Sequence, residues 1–127
     1  MRGTKPISAK QVYARLTKVR RARQEHLVVF CLNTRGGAIH RQLVSLGTLN
    51  TNLVHPREVF YPAISHNAAG VIVAHNHPSG DSTPSDEDVA ITHRLAEAGR
   101  ILGIEVVDHL VVAERSYTSL RETGLMH

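Results

Sequence analysis

One cysteine in 127 residues, Cys31, leaves no partner for an intramolecular disulfide, so the chain suits a reducing compartment. The same shortage excludes a metal site built on a cysteine pair, the zinc deaminase type included. Tryptophan is absent and aromatics make up 4% of the chain, so the sequence offers no base-stacking platform for single-stranded nucleic acid. No apolar stretch approaches the ~18 residues of a membrane span; the longest, Leu27 to Leu32, suits a strand. Met1 to Lys5 leads into no apolar signal region, which makes the cytoplasm the expected location. Repeats, low-complexity tracts and internal linkers are all missing.

What is present reads as one globular domain. A hydrophobic content of 42% and a mean hydropathy near zero are ordinary for a chain that buries a core. Residues 1–7 read as a disordered lead-in or a cut edge, and 8–127 as the domain. Net charge is +4, with much of the excess in Arg15, Lys18, Arg20, Arg21 and Arg23. These could mark a nucleic-acid footprint, but Val12, Leu16 and Val19 form a helical stripe between them, which favours the solvated face of an amphipathic helix. Ser8 caps that helix, expected to run to about Gln24. Strands follow over Leu27–Leu32 and about Ala38–Leu46, joined by the hairpin turn Asn33 to Gly37. A short helix starts at Pro56, with Pro62 expected to shorten or kink it. A strand over Val71–Ala74, a long helix ending near Gly103, a strand over Ile104–Val112 and a short last strand complete the order. This succession predicts an α/β layered domain with a mixed sheet covered by helices on two sides. Cys31, inside the first strand, reads as a small core hydrophobe.

Chemistry concentrates between Val71 and Asp88. Residues two apart on a strand share a face, so His75 and His77 can aim their imidazoles at one point. Pro78 ends the ladder, Ser79-Gly80-Asp81 turns, and Pro84-Ser85 opens a helix whose first turn contains Asp88. Ser85 and Asp88 have the spacing of a capping box, which alone would account for both. A pair of imidazoles at the mouth of an apolar strand is hard to justify by packing, since each buried ring needs a partner. Two histidines and one aspartate make three protein ligands, and a zinc so held keeps a fourth position for water. A base must then take a proton from that water; Glu25, just before the first strand, is attractive, with Glu58, Glu87 and Glu105 as alternatives. The other histidines, His26, His40, His55, His66, His93, His109 and His127, lack comparable spacing and read as surface or structural. A histidine-triad hydrolase would place a further histidine where Ser79 stands.

His75-x-His77, seven residues, then Ser85-x-x-Asp88 resembles the JAMM (MPN-plus) metalloprotease signature, and the phrase His75-Asn76-His77-Pro78-Ser79-Gly80-Asp81 is similar to its bacterial RadC-like branch. Gly47-Thr48-Leu49-Asn50, His55-Pro56-Arg57-Glu58-Val59-Phe60 and Asp108-His109-Leu110 extend the likeness over about residues 8 to 125. The resemblance implies a cytidine-deaminase-like JAMM/MPN fold, one zinc held by His75, His77 and Asp88, Glu25 as catalytic base and Ser85 as donor to the oxyanion. It implies zinc-assisted hydrolysis of a peptide or isopeptide bond. RadC-like proteins usually carry an upstream helix-hairpin-helix region associated with DNA, which these residues do not include; the expectation is a domain cut from a longer chain or a short relative. The other function class is therefore a DNA-repair-associated binding module with a structural or vestigial metal site. The oligomeric state is open, a homodimer included.

Overall fold

The apolar run from Leu27 to Leu32 and the β-branched run from Val71 are both buried from end to end, because each lies inside a sheet covered on both faces. The computed structural model describes residues 5–50 and 52–126. In chain order the elements are α1 (Ala9–Ala14), α2 (Thr17–Arg21), β1 (His26–Leu32), β2 (Ala38–Leu46), α3 (Pro56–Ser65), β3 (Gly70–Asn76), α4 (Asp86–Leu102), β4 (Glu105–Val112) and β5 (Tyr117–Ser119). The strands form one sheet in the order β2-β1-β3-β4-β5. β1 runs antiparallel to both β2 and β3, β3 is parallel to β4, and β5 returns antiparallel along β4. The sheet is mixed and flanked by helices, as the sequence predicts. No helix among the described residues is long and apolar enough to cross a membrane.

Strand alternation divides the core. Val29, Cys31, Val71 and Val73 meet Val59 and Phe60 of α3 and Ile91 and Leu95 of α4 on one face. Val28, Phe30, Ile72 and Ala74 meet Val12 and Leu16 on the other. His75 has the parity of Val71 and Val73, so its ring faces α4. The parallel crossover from β3 to β4 carries α4 over that face and brings its N-terminus to the end of β3 where the histidines sit.

Local details depart from expectation in two places. The helix expected from Ser8 to about Gln24 is broken between Ala14 and Thr17, where Leu16 (φ −110°, ψ 32°) leaves helical geometry while staying buried. Lys10, Arg15, Lys18, Arg20 and Arg21 meet no acidic residue in either helix, so a continuous helix would gather like charges without compensating pairs. Pro62 sits inside α3 without ending it, and the helix runs to Ser65. Of the expected lead-in, residues 1–4 lie outside the described residues, whereas the Ile7 N–H donates to the Gly36 carbonyl at 3.0 Å.

Candidate metal centre

α4 begins with a complete capping box. The Ser85 hydroxyl accepts from the Asp88 N–H at 3.1 Å, and an Asp88 carboxylate oxygen accepts from the Ser85 N–H at 2.7 Å. Capping does not exhaust Asp88. Its Oδ1 lies 2.8 Å from His75 Nε2 and its Oδ2 3.1 Å from His77 Nε2, and the two Nε2 atoms are 3.1 Å apart. One ligand atom from each of the three residues falls within 4.8 Å of the others, so together they could hold a metal ion.

Hydrogen bonding fixes where the ring protons sit. The Thr92 hydroxyl is 2.9 Å from the Asp88 carbonyl, which can only accept, so Thr92 donates there. Thr92 Oγ1 must then accept from the neighbouring His109 Nδ1–H. His109 is fully buried, and desolvation, followed by the charge of His75, pushes its pKa down to about 3, so the ring is neutral at ordinary pH. A neutral ring protonated at Nδ1 carries a lone pair at Nε2, and His109 Nε2 lies 2.8 Å from His75 Nδ1. His75 therefore donates from Nδ1. His77 donates from its own Nδ1 to the Asp81 carbonyl at 2.9 Å.

Each imidazole, in its neutral form, thus turns an Nε2 lone pair toward the Asp88 carboxylate. Two lone pairs and an anion packed this closely require a cation among them, either a proton or a metal. The electrostatics agree: hydrogen bonding to Asp88 raises the pKa of His77 in spite of partial burial. Burial by itself would raise the Asp88 carboxyl, but the bonds from His75 and His77, with the Ser85 N–H, outweigh it and hold that group far below the usual carboxylate range. His75 and Asp88 are buried, while His77 keeps 17% of its side chain exposed, which leaves a solvent approach to the cluster.

Glu25 lies at the same end of the sheet. Leu27 pairs with His75 across β1 and β3, so continuing that antiparallel register by one more alternate pair sets Glu25 beside His77. Its charge helps to raise the His77 pKa. The loop after β2 folds back onto it: Leu49 N–H donates to Glu25 Oε2 at 3.3 Å, and Gly47 N–H to the Glu25 carbonyl at 2.8 Å. Ser85 is exposed; its oxygen is occupied as an acceptor for the cap, which leaves its own hydrogen for another partner. Glu25, His75, His77, Ser85 and Asp88 are all at this end of the sheet; of the alternative bases, Glu87 stands beside Asp88 in the first turn of α4, whereas Glu105 opens β4 opposite Gly70, at the far end of β3 from His75.

Two residues here escape a reading of sequence spacing. His109 is the buried partner that orients His75, and the phrase Asp108-His109-Leu110 was the only signal for it. Asn76, between the two histidines, is fully buried; its Oδ1 accepts from His26 N–H at 2.6 Å, and its Nδ2 donates to the carbonyls of Ala22 at 3.2 Å and Gln24 at 3.0 Å. It fastens the segment carrying Glu25 to the strand carrying the histidines.

A family model described as a RadC-like JAB domain matches residues 6–125. A UPF0758 protein of Geobacillus thermodenitrificans is 56% identical over 101 residues, 80% of this chain and 45% of the relative. Another, from Bacillus cereus strain B4264, is 51% identical over 109 residues, 86% of this chain and 48% of the relative. A third, from Halalkalibacterium halodurans, is 50% identical over 101 residues, 80% and 44% of the two chains. The chain spans just under half the length of these curated relatives.

Proposed function

This chain belongs to the RadC-like JAB domain family, and on that premise we propose that it is a zinc-dependent hydrolase of amide bonds, a metallopeptidase or isopeptidase. The observation that carries the reading is the convergence of His75 Nε2, His77 Nε2 and the Asp88 carboxylate with every competing proton directed elsewhere. Two nitrogens and a carboxylate suit zinc and leave a coordination position open. Zinc at such a site supplies a water whose pKa is lowered to ~7.

Glu25 takes a proton from the attacking water on its carboxylate and returns it to the leaving amine. The capping bond holds Ser85 Oγ at the mouth of the site, and its remaining hydrogen donates to the oxyanion that develops on the scissile carbonyl. Because Nδ1 of each ring is committed to a protein acceptor, Nε2 is the nitrogen that His75 and His77 offer to a metal. Glu25→Gln tests the assignment. The variant is expected to retain about one zinc per chain by elemental analysis and to lose turnover of a quenched-fluorescence peptide pool by roughly a hundred- to ten-thousandfold. A zinc-free protein, or turnover unchanged in the variant, would refute the mechanism.

A further inference from the structure

Next to His77 the structure has a cleft of about 330 Å³ lined by Arg20, Arg21 and Arg23 together with His77, Gly80 and Glu114. We propose that this cleft is a subsite for a carboxylate of the substrate chain, seated beside the bond to be cleaved. The scissile-bond placement rests on the hydrolase reading; the recognition of a carboxylate does not.

Three arginines and one acidic residue, Glu114, line the cleft, and the one ion pair between them is loose: Arg21 Nε lies 4.0 Å from Glu114 Oε1, with both side chains mostly exposed. Asp81, on the His77 loop, is exposed and accepts from the Thr83 N–H at 2.9 Å and hydroxyl at 2.7 Å. Arg20, Arg21 and Arg23 thus outnumber the two nearby carboxylates, Glu114 and Asp81, and the cleft keeps an excess of positive charge. Arg20 is ordered in advance, with its guanidinium 4.1 Å from the centre of the Tyr13 ring and the Tyr13 hydroxyl donating to the Glu114 carbonyl at 3.0 Å. Arg20 Nε is the one buried side-chain nitrogen or oxygen among the described residues with no hydrogen-bond partner. Burying such a donor is costly unless an acceptor arrives. Asn76 fixes the backbone on which these arginines stand, through Ala22 and Gln24.

A carboxylate fits better than a nucleic acid. One face of Tyr13 is covered by Arg20, and the Tyr117 ring packs against it with centroids 4.9 Å apart, so Tyr13 is already engaged and no aromatic residue lines the cleft itself. His77 forms part of the cleft's wall, so a group seated in it lies beside the metal ligands. Planar guanidinium forks match carboxylates bidentately.

Binding by fluorescence anisotropy at low salt, with the zinc-loaded full chain, tests this. The probes are a labelled peptide with adjacent glutamates and an amidated end, its glutamine counterpart amidated, the same counterpart with a free terminal carboxylate, and an oligothymidine. A carboxylate peptide is expected to bind about tenfold more tightly than the neutral one, and whichever of the two gains identifies a side-chain or terminal source. The preference should shrink to about threefold in Arg23→Gln and vanish in Arg20→Gln/Arg23→Gln. Arg23 is exposed, so its replacement reads the cleft without disturbing the Tyr13 packing. Equal binding of all peptides, a preference untouched by the substitutions, or arginine-dependent binding of oligothymidine alone would overturn the proposal. A carboxylate preference that persists in protein lacking zinc and turnover would sink the hydrolase reading and leave the subsite standing; zinc and turnover without the preference would do the reverse.

Discussion

Replacing His109 probes the proton arrangement on which the metal centre depends. His75 is fully buried, and its Nδ1–H finds its acceptor in His109 Nε2 at 2.8 Å. His109→Leu keeps a residue of similar bulk but strands that donor. An unsatisfied buried donor costs ~1–3 kcal/mol, and a tautomeric flip that relieved it would move the His75 proton onto Nε2, where the metal lone pair is needed. Either route weakens zinc binding by about tenfold to a hundredfold, the range usual for partners that orient metal ligands. His109→Gln supplies a carbonyl oxygen toward His75 and an amide hydrogen toward Thr92, so it is expected to restore affinity to within about threefold. Competition with a fluorescent chelator reads the affinity, and nitrogen-15 chemical shifts of the histidine rings read the tautomer directly. Wild-type affinity in His109→Leu, an equal loss in His109→Gln, or a His75 proton found on Nε2 in the zinc-loaded wild type would each refute the reasoning.

The remaining expectations concern pH, the cap and the packing of α4. In metal-free protein the His77 pKa is raised and that of Asp88 lowered. The protonated pair therefore stabilises the fold below the ordinary histidine pKa of ~6.5 and loses that contribution as pH rises through the higher folded value. Zinc displaces the same proton, so its stabilisation should be larger at pH 8 than at pH 6, with proton release on binding; scanning fluorimetry and an unbuffered titration measure both, and a zinc shift independent of pH would contradict the pairing. Ser85→Ala should keep zinc, lower stability by about 1 kcal/mol through the lost cap, and slow turnover by roughly a hundred- to a thousandfold; a stability change with normal turnover would leave Ser85 as a cap alone. Gly99 lies where α4 meets the start of β4, and a Cβ there would approach the Ile104 carbonyl oxygen to 2.3 Å and Phe60 Cζ to 3.2 Å. Gly99→Ala should therefore destabilise by about 1–3 kcal/mol in urea unfolding in spite of the ~1 kcal/mol gained in helix propensity, and unchanged stability would show that this junction yields freely.

Elements whose identity is written locally were legible in the sequence. The apolar runs marked β1 and β3, Asn33 to Gly37 marked the hairpin, and Ser85 and Gly103 bracketed α4 with an N-cap and a left-handed C-cap at φ 74°. The break between α1 and α2 was not legible, because Val12, Leu16 and Val19 keep their stripe whether or not the helix is continuous. The same break hid the setting of Arg20. Read along one helix, the arginines form a solvated face; in the fold Arg20 is half-buried over Tyr13 and the arginine segment lines the cleft beside His77.

His109 was illegible for a more specific reason. Strict alternation along β4 from Val106, which joins the core under α4, would send His109 to the opposite face of the sheet, the one on which Ile72 and Ala74 pack. The ladder with β3 slips between Val71 and Ile72, so that Val71 pairs with Val106 but Ile72 with Asp108. That bulge reverses the phase of the rest of the strand. It brings His109 onto the α4 face opposite Val73, where it meets His75 and Thr92, and it leaves Asp108 to accept from the Ser119 hydroxyl at 2.6 Å and the Arg121 N–H at 3.1 Å, tying down the turn that follows β5. The irregularity in β4 and the orientation of the metal-facing imidazole in β3 are thus one structural fact. Deleting Val107 removes the extra residue and sets Val106 and His109 two positions apart on one face, so the variant should keep His109 opposite Val73 and leave zinc affinity unchanged, unlike His109→Leu. A deletion variant that folds, as judged by cooperative unfolding, but binds zinc as weakly as His109→Leu would refute this account of the bulge.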